Sequence, residues 1–184
     1  MTVTLAATDA ARPQPVIAAE RLVLRPLRRQ DAELLGLYTA DRRVAEGTRS
    51  IPHPLPPGAA MAFVDASLAP KRDEDVWAID GTPDGSVSLL GVVSLKALDR
   101  SQSQIGYWIA PAFWHGGLAS TAVRALLDAN PHANKTVFAE VFQDNPVSAR
   151  LLTHAGFDYI GDAEAVSVAR QAAVPTWTYL RKMR

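Results

Sequence analysis

The chain has no cysteine among its 184 residues. That excludes disulfides, thiolate-held metals and a cysteine nucleophile, and it fits a reducing, cytoplasmic compartment. An excess of one charge is also missing. Nineteen Lys and Arg face nineteen Asp and Glu, and no stretch gathers five or six like charges, so neither nucleic acid nor an anionic membrane is an expected partner. Apolar runs such as Leu89 to Val93 fall far short of the roughly 20 residues that cross a bilayer. The four histidines, His53, His115, His132 and His154, form no i,i+4 pair and have no Glu at metal spacing. Each is therefore expected at the surface, and no metal is expected. Three nucleotide and hydrolase signatures are absent as well: a Gly-x-Ser-x-Gly elbow, a Gly-Lys-Ser/Thr phosphate loop and the spaced three-glycine dinucleotide fingerprint. Their absence disfavours a Ser/His/Asp hydrolase and an enzyme that uses ATP or NAD.

What remains suffices for one globular core, since 48% of the residues are hydrophobic. Residues 1–19, rich in Ala, Thr and Pro at their start, suggest a flexible tail, and residues 20–184 a single domain. Arg21-Leu-Val-Leu-Arg-Pro-Leu27 alternates at period two and predicts a strand, followed by a helix carrying Leu34, Leu35, Leu37 and Tyr38. Four prolines between Ser50 and Gly58 predict a stiff loop, and Ala59 to Leu68 a short helix. Val76 to Asp80, Leu89 to Leu95 and Gln104 to Ala110 predict an antiparallel meander. Helix Ser120 to Ala129, strand Thr136 to Phe142, helix Pro146 to Ala155 and strands near Phe157 to Gly161 and Trp177 to Lys182 complete the pattern. The expected class is α/β (α+β): a mixed sheet with helices on both faces.

Two segments carry candidate chemistry. In the first, the strand that stops at Pro111 is followed by Gly116 and Gly117, which open a helix. Bare amides and the helix dipole suit a phosphate there without any lysine, although a tight connection with no ligand explains the same glycines. In the second, Pro146 fits the first helical position, Asn145 the N-cap and Ser148 the third position. Capping alone accounts for Asn145. Upstream, Phe138, Glu140 and Phe142 share one strand face. Apolar flanks would make Glu140 a proton acceptor near neutral pH, whereas a place at the sheet end would make it an ordinary exposed residue. The tryptophans Trp77, Trp108, Trp114 and Trp177 suit the core or its rim better than a nucleotide stack.

Taken in order, these segments resemble the GNAT N-acetyltransferase superfamily, and within it the RimJ/RimL-like branch. The likeness is carried by Arg21-Leu-Val-Leu-Arg25, Ile51-Pro-His-Pro54, Trp77-Ala-Ile79, Ile105-Gly-Tyr-Trp-Ile109, Trp114-His-Gly-Gly-Leu-Ala119, Asn145-x-x-Ser148 and Gly156-Phe157. It implies a mostly antiparallel central sheet with splayed strands at an acetyl-CoA site. The pyrophosphate of coenzyme A would rest on amides of His115, Gly116, Gly117, Leu118, Ala119 and Ser120. The pantetheine arm would lie between strands ending near Ile109-Ala110 and Phe142 and would bond to Asn145. A backbone amide of Ile109 or Ala110 would meet the oxyanion, Glu140 would act as base and Ser148 as acid.

The acceptor implied is a primary amine, either a peptide N-terminus or a small molecule, entering under the Thr48 to Pro57 loop, with Arg49, His53 and Trp77 as candidate contacts. A homodimer through the C-terminal strands also fits the resemblance. Many relatives carry an acidic tyrosine where this chain has Leu152, and the branch often has an acidic residue where it has Gln104. The first departure motivates an alternative, a non-catalytic acyl-CoA-binding module.

Overall fold

The computed structural model describes residues 13–184. Eight strands form one sheet: β1 (Ile17–Ala19), β2 (Leu22–Pro26), β3 (Glu74–Asp80), β4 (Gly91–Leu98), β5 (Gln102–Ile109), β6 (Thr136–Phe142), β7 (Asp158–Ser167) and β8 (Ala172–Lys182). Their order is β1-β2-β3-β4-β5-β6-β8-β7. Every pairing is antiparallel except β5 with β6, which is parallel and joined by the crossover helix α4 (Leu118–Ala129). The fold is thus the expected mixed, mostly antiparallel sheet.

Helices α1 (Ala32–Thr39), α2 (Arg42–Glu46) and α3 (Ala59–Leu68) precede the meander, and α5 (Pro146–His154) follows β6. Two cores flank the sheet. On one face Trp77, Leu95 and Ile105 meet Val123 and Leu126 of α4 and Leu152 of α5. On the other, Val76, Ala78 and Val92 meet Leu35 of α1 and Val64 of α3. Strand β3 is buried from Asp75 to Asp80 because both faces are covered.

One tight approach is fixed by glycine. A Cβ on Gly91 would lie 2.1 Å from the Trp108 carbonyl oxygen, so no side chain fits where β4 meets the end of β5.

The sheet already takes in residues ahead of residue 20. Ile17–Ala19 pairs with β2, and the Trp77 indole donates to the Pro15 carbonyl at 2.9 Å. Only residues 1–12 of the expected tail lie outside the described residues.

Polar residues lock the layers. Arg25, 3% exposed, donates through Nε to Asp80 at 2.7 Å and through two nitrogens to Asp31 at 2.8 and 2.9 Å. Burial pushes the Asp80 carboxyl up, yet hydrogen bonds from Arg25 and Thr82 outweigh it and hold the group below its ordinary value. His132 contradicts the surface expectation. Its side chain is 4% exposed, with Nε2 2.7 Å from Asp75 and Nδ1 3.1 Å from the Ser103 hydroxyl. Ser103 is 0% exposed, so this Ser–His–Asp chain cannot meet a substrate and serves as internal bracing between β3, β5 and the loop before β6.

Candidate functional site

Where β5 and β6 part, the sheet opens. Their pairing ends at Ile105 opposite Ala139, although β5 continues to Ile109 and β6 to Phe142. Antiparallel bonding alternates along a strand. Because the Ala110 amide donates to the Leu90 carbonyl at 2.9 Å, the odd residues Tyr107 and Ile109 turn their amides away from β4, toward the gap. The same bond occupies the Ala110 amide, while the Ile109 amide faces the gap. The Ile109 carbonyl is taken by the Trp114 indole at 2.7 Å.

A cleft of about 1210 Å³ runs through this gap and reaches both faces of the sheet. At its α4 end, His115 and Gly117 adopt left-handed backbone, with φ of 67° and 72°. Gly117 is the α4 N-cap, and among the described residues no amide from 115 to 120 donates a hydrogen bond. His115, Gly116, Gly117, Leu118, Ala119 and Ser120 therefore form the bare amide turn expected from the sequence, opening a helix whose dipole favours an anion.

Beyond the gap, Asn145 caps α5. Its side-chain oxygen accepts from the Ser148 amide at 3.2 Å, and among the described residues the side-chain nitrogen has no partner. The Ser148 hydroxyl lies 2.6 Å from the Tyr107 hydroxyl. Burial, partly offset by Ser148, pushes the Tyr107 phenol up to about 12. Tyr107 was not singled out by the sequence. Its alternation with Ile105 and Ile109 places it on the α4/α5 face, but a partner 41 residues away leaves no local signal. Leu152 is 1% exposed and packed in the core.

Glu140 lies on the opposite face, the one it shares with Phe138 and Phe142, and two polar partners join it there. Arg49 Nη1 is 2.8 Å from one carboxylate oxygen, and the Thr176 hydroxyl donates to the other at 2.7 Å. At 15% side-chain exposure the carboxylate is not an exposed strand-end residue. Arg49 is itself held in place, since its carbonyl accepts from the Val168 amide at 2.9 Å. Arg170, from the same β7–β8 turn, donates to the Glu46 carbonyl and to Asp144 and lies over the Phe142 ring. The long hairpin thus clasps the wall that carries Arg49. Gln104 and Glu74 also line this side, and Glu74 accepts from the Ser94 hydroxyl at 2.7 Å.

The other acceptor candidates fall away. Trp77 is fully buried on the α4/α5 face, and His53 does not line the cleft. Among the described residues no three His, Cys, Asp or Glu could hold a metal, and no helix is long and apolar enough to cross a membrane.

A parallel pair thus opens into a cleft beside a helix begun by glycine with bare amides. Residues 21–158 match the acetyltransferase (GNAT) domain family, and the chain belongs to it. It is an acyltransferase of the N-acetyltransferase kind. It is 28% identical to the "Uncharacterized N-acetyltransferase YoaA" of Bacillus subtilis (strain 168) over 156 residues, covering 80% of this chain and 85% of that one. Among solved structures, the microcin C7 self-immunity acetyltransferase MccE, in complex with acetyl-CoA and AMP, superposes with a TM-score of 0.76 at 17% identity, covering 89% and 93% of the two chains. RimL, the ribosomal L7/L12 alpha-N-protein acetyltransferase, in complex with coenzyme A, superposes at 0.75 with 16% identity, covering 92% and 98%. These likenesses define the fold.

Proposed function

We propose that this protein transfers the acetyl group of acetyl-CoA directly to a primary amine, that it belongs to the RimJ/RimL-like branch, and that α-amines are its favoured acceptors. The observation that carries the proposal is the parting of β5 from β6 beyond Ile105 and Ala139 beside the bare amides of residues 115 to 120. An acyl-CoA pyrophosphate fits those amides. Its pantetheine arm then adds to the free edge of β5 and meets the side-chain nitrogen of Asn145, with the thioester near Ile109 and Ser148.

The acceptor enters from the Arg49 side. Glu140, acting through a water, takes the proton that the ammonium must lose before it can attack. The neutral amine adds to the thioester carbonyl, the Ile109 amide meets the oxyanion and the Ser148 hydroxyl meets the departing sulfur. No covalent enzyme intermediate forms. An α-amine has a reference pKa of about 8 against about 10.4 for lysine.

The test follows thiol release from acetyl-CoA with a panel of peptides bearing free N-termini, lysine-bearing peptides with blocked N-termini, and small primary amines. Turnover is expected, fastest with free N-termini, and Glu140→Gln should lower kcat by about 10²-fold or more with little change in coenzyme A affinity. Binding of acetyl-CoA without acceptor-dependent thiol release would sink the transfer reading and leave an acyl-CoA-binding module.

A further inference from the structure

We propose that Tyr107 is a positioning residue for the acetyl transfer: its phenol donates to the Ser148 oxygen and thereby commits the serine hydrogen to the thioester sulfur. The proposal rests on the acetyltransferase reading above.

The two hydroxyls are 2.6 Å apart, and geometry alone allows either to donate. Acidity decides the direction, because a phenol is a far stronger acid than an aliphatic alcohol. The surroundings agree. Among the described residues Tyr107 has no other hydrogen-bond partner, so a donating serine would leave the phenolic hydrogen unused beside the core. Ser148, by contrast, has no structural duty for its own hydrogen, since its amide is what Asn145 caps. Burial keeps the phenol protonated at any working pH, so the bond does not reverse through titration. Tyr107 comes from β5 and Ser148 from the first turn of α5. Together they face the gap from the donor side, where Leu152 supplies no acid.

The transfer step then balances. The amine nitrogen bonds to the carbonyl carbon, and the carbon–sulfur bond breaks with its electron pair remaining on sulfur. Ser148 gives its hydrogen to that sulfur and takes one from the ammonium nitrogen of the adduct. Serine is restored, the products are an amide and the free thiol, and Tyr107 stays protonated throughout.

The test measures steady-state turnover of acetyl-CoA with the best acceptor from the amine and peptide panel. It compares the unmodified protein with Tyr107→Phe, Ser148→Ala and the double variant. Tyr107→Phe should lower kcat by about 10- to 100-fold, leave KM for acetyl-CoA within about twofold and raise the solvent deuterium effect on kcat. A merely structural contact would not move that isotope effect. The double variant should be no slower than Ser148→Ala alone, because residues acting as a unit are not additive. Additive losses, or a changed KM with unchanged kcat, would overturn the proposal while leaving the acetyltransferase reading intact. Failure of the unmodified protein to turn over any acceptor would overturn both. Should Tyr107→Phe not fold, 2,3,5,6-tetrafluorotyrosine at position 107 keeps the hydroxyl and makes the phenol far more acidic, enough to bring its ionisation into the working range. It should introduce a fall in kcat at alkaline pH, and an unchanged profile would count against the proposal.

Discussion

The proposed transfer gives Asn145 two roles through two atoms, which allows them to be separated. Its oxygen caps α5, and its nitrogen is the group assigned to the pantetheine arm. Asn145→Ala should remove both, costing about 1 kcal/mol of stability, or a fall in Tm of roughly 2–4 °C for a chain of this size, together with coenzyme A affinity. Asn145→Asp keeps a capping oxygen and loses the nitrogen donor, so its Tm should hold while its affinity falls. Calorimetry with coenzyme A alongside thermal melts checks the pair, and loss of Tm with retained affinity in the aspartate variant would contradict the division. Single residues were legible in the sequence where the signal is local. Pro146 after Asn145 announces the cap, and Gly116-Gly117 announces the amide turn. Long-range partners were not legible. Nothing near Glu140 points to Arg49 or Thr176, and nothing near His132 points to Asp75, so the polar partners of the first had no local signal and the second was expected at the surface.

Among elements, the α4 opening has the sharpest conformational requirement. Gly117 sits at a φ of 72° with open space around it, so the obstacle to a side chain is backbone strain rather than a clash. Gly117→Val should fold, lose the left-handed turn, and raise KM for acetyl-CoA about tenfold or more while leaving the acceptor KM near its original value. Equal losses toward both substrates would argue against a donor-specific cradle. Elements with a strong internal pattern were read correctly, as α3 and β6 show by matching their expected bounds. Those that depend on tertiary pairing were not. The three-residue β1 is held by β2, and β7 and β8 run to Ser167 and back from Ala172, far beyond the expected Phe157 to Gly161 and Trp177 to Lys182. Their turn at Arg170-Gln171 lacks the glycine or proline that would have marked it, and α2 is too short to show a helical period.

For the whole molecule, acid should be the weak side. Burial pushes Asp75 and Asp80 up, but hydrogen bonds from His132 and Arg72 on the first, and from Arg25 and Thr82 on the second, leave both below their ordinary values. The native state therefore binds fewer protons than the unfolded chain at these sites. Their contribution is complete above the unfolded value of about 4 and is lost as pH falls through the lower folded values. Urea midpoints measured from pH 7 to pH 3 should drop most steeply below about pH 4, and Asp80→Asn should flatten part of that slope; an unchanged slope would remove Asp80 from the account.

The cleft that pierces the sheet has a kinetic counterpart. On the proposed transfer the carrier and the amine come from opposite faces and meet at the gap, so neither needs to leave before the other arrives. Double-reciprocal plots should intersect rather than run parallel, and free coenzyme A should compete with acetyl-CoA but not with the acceptor. The hole in the sheet would then leave the order of arrival open, since each substrate has its own door.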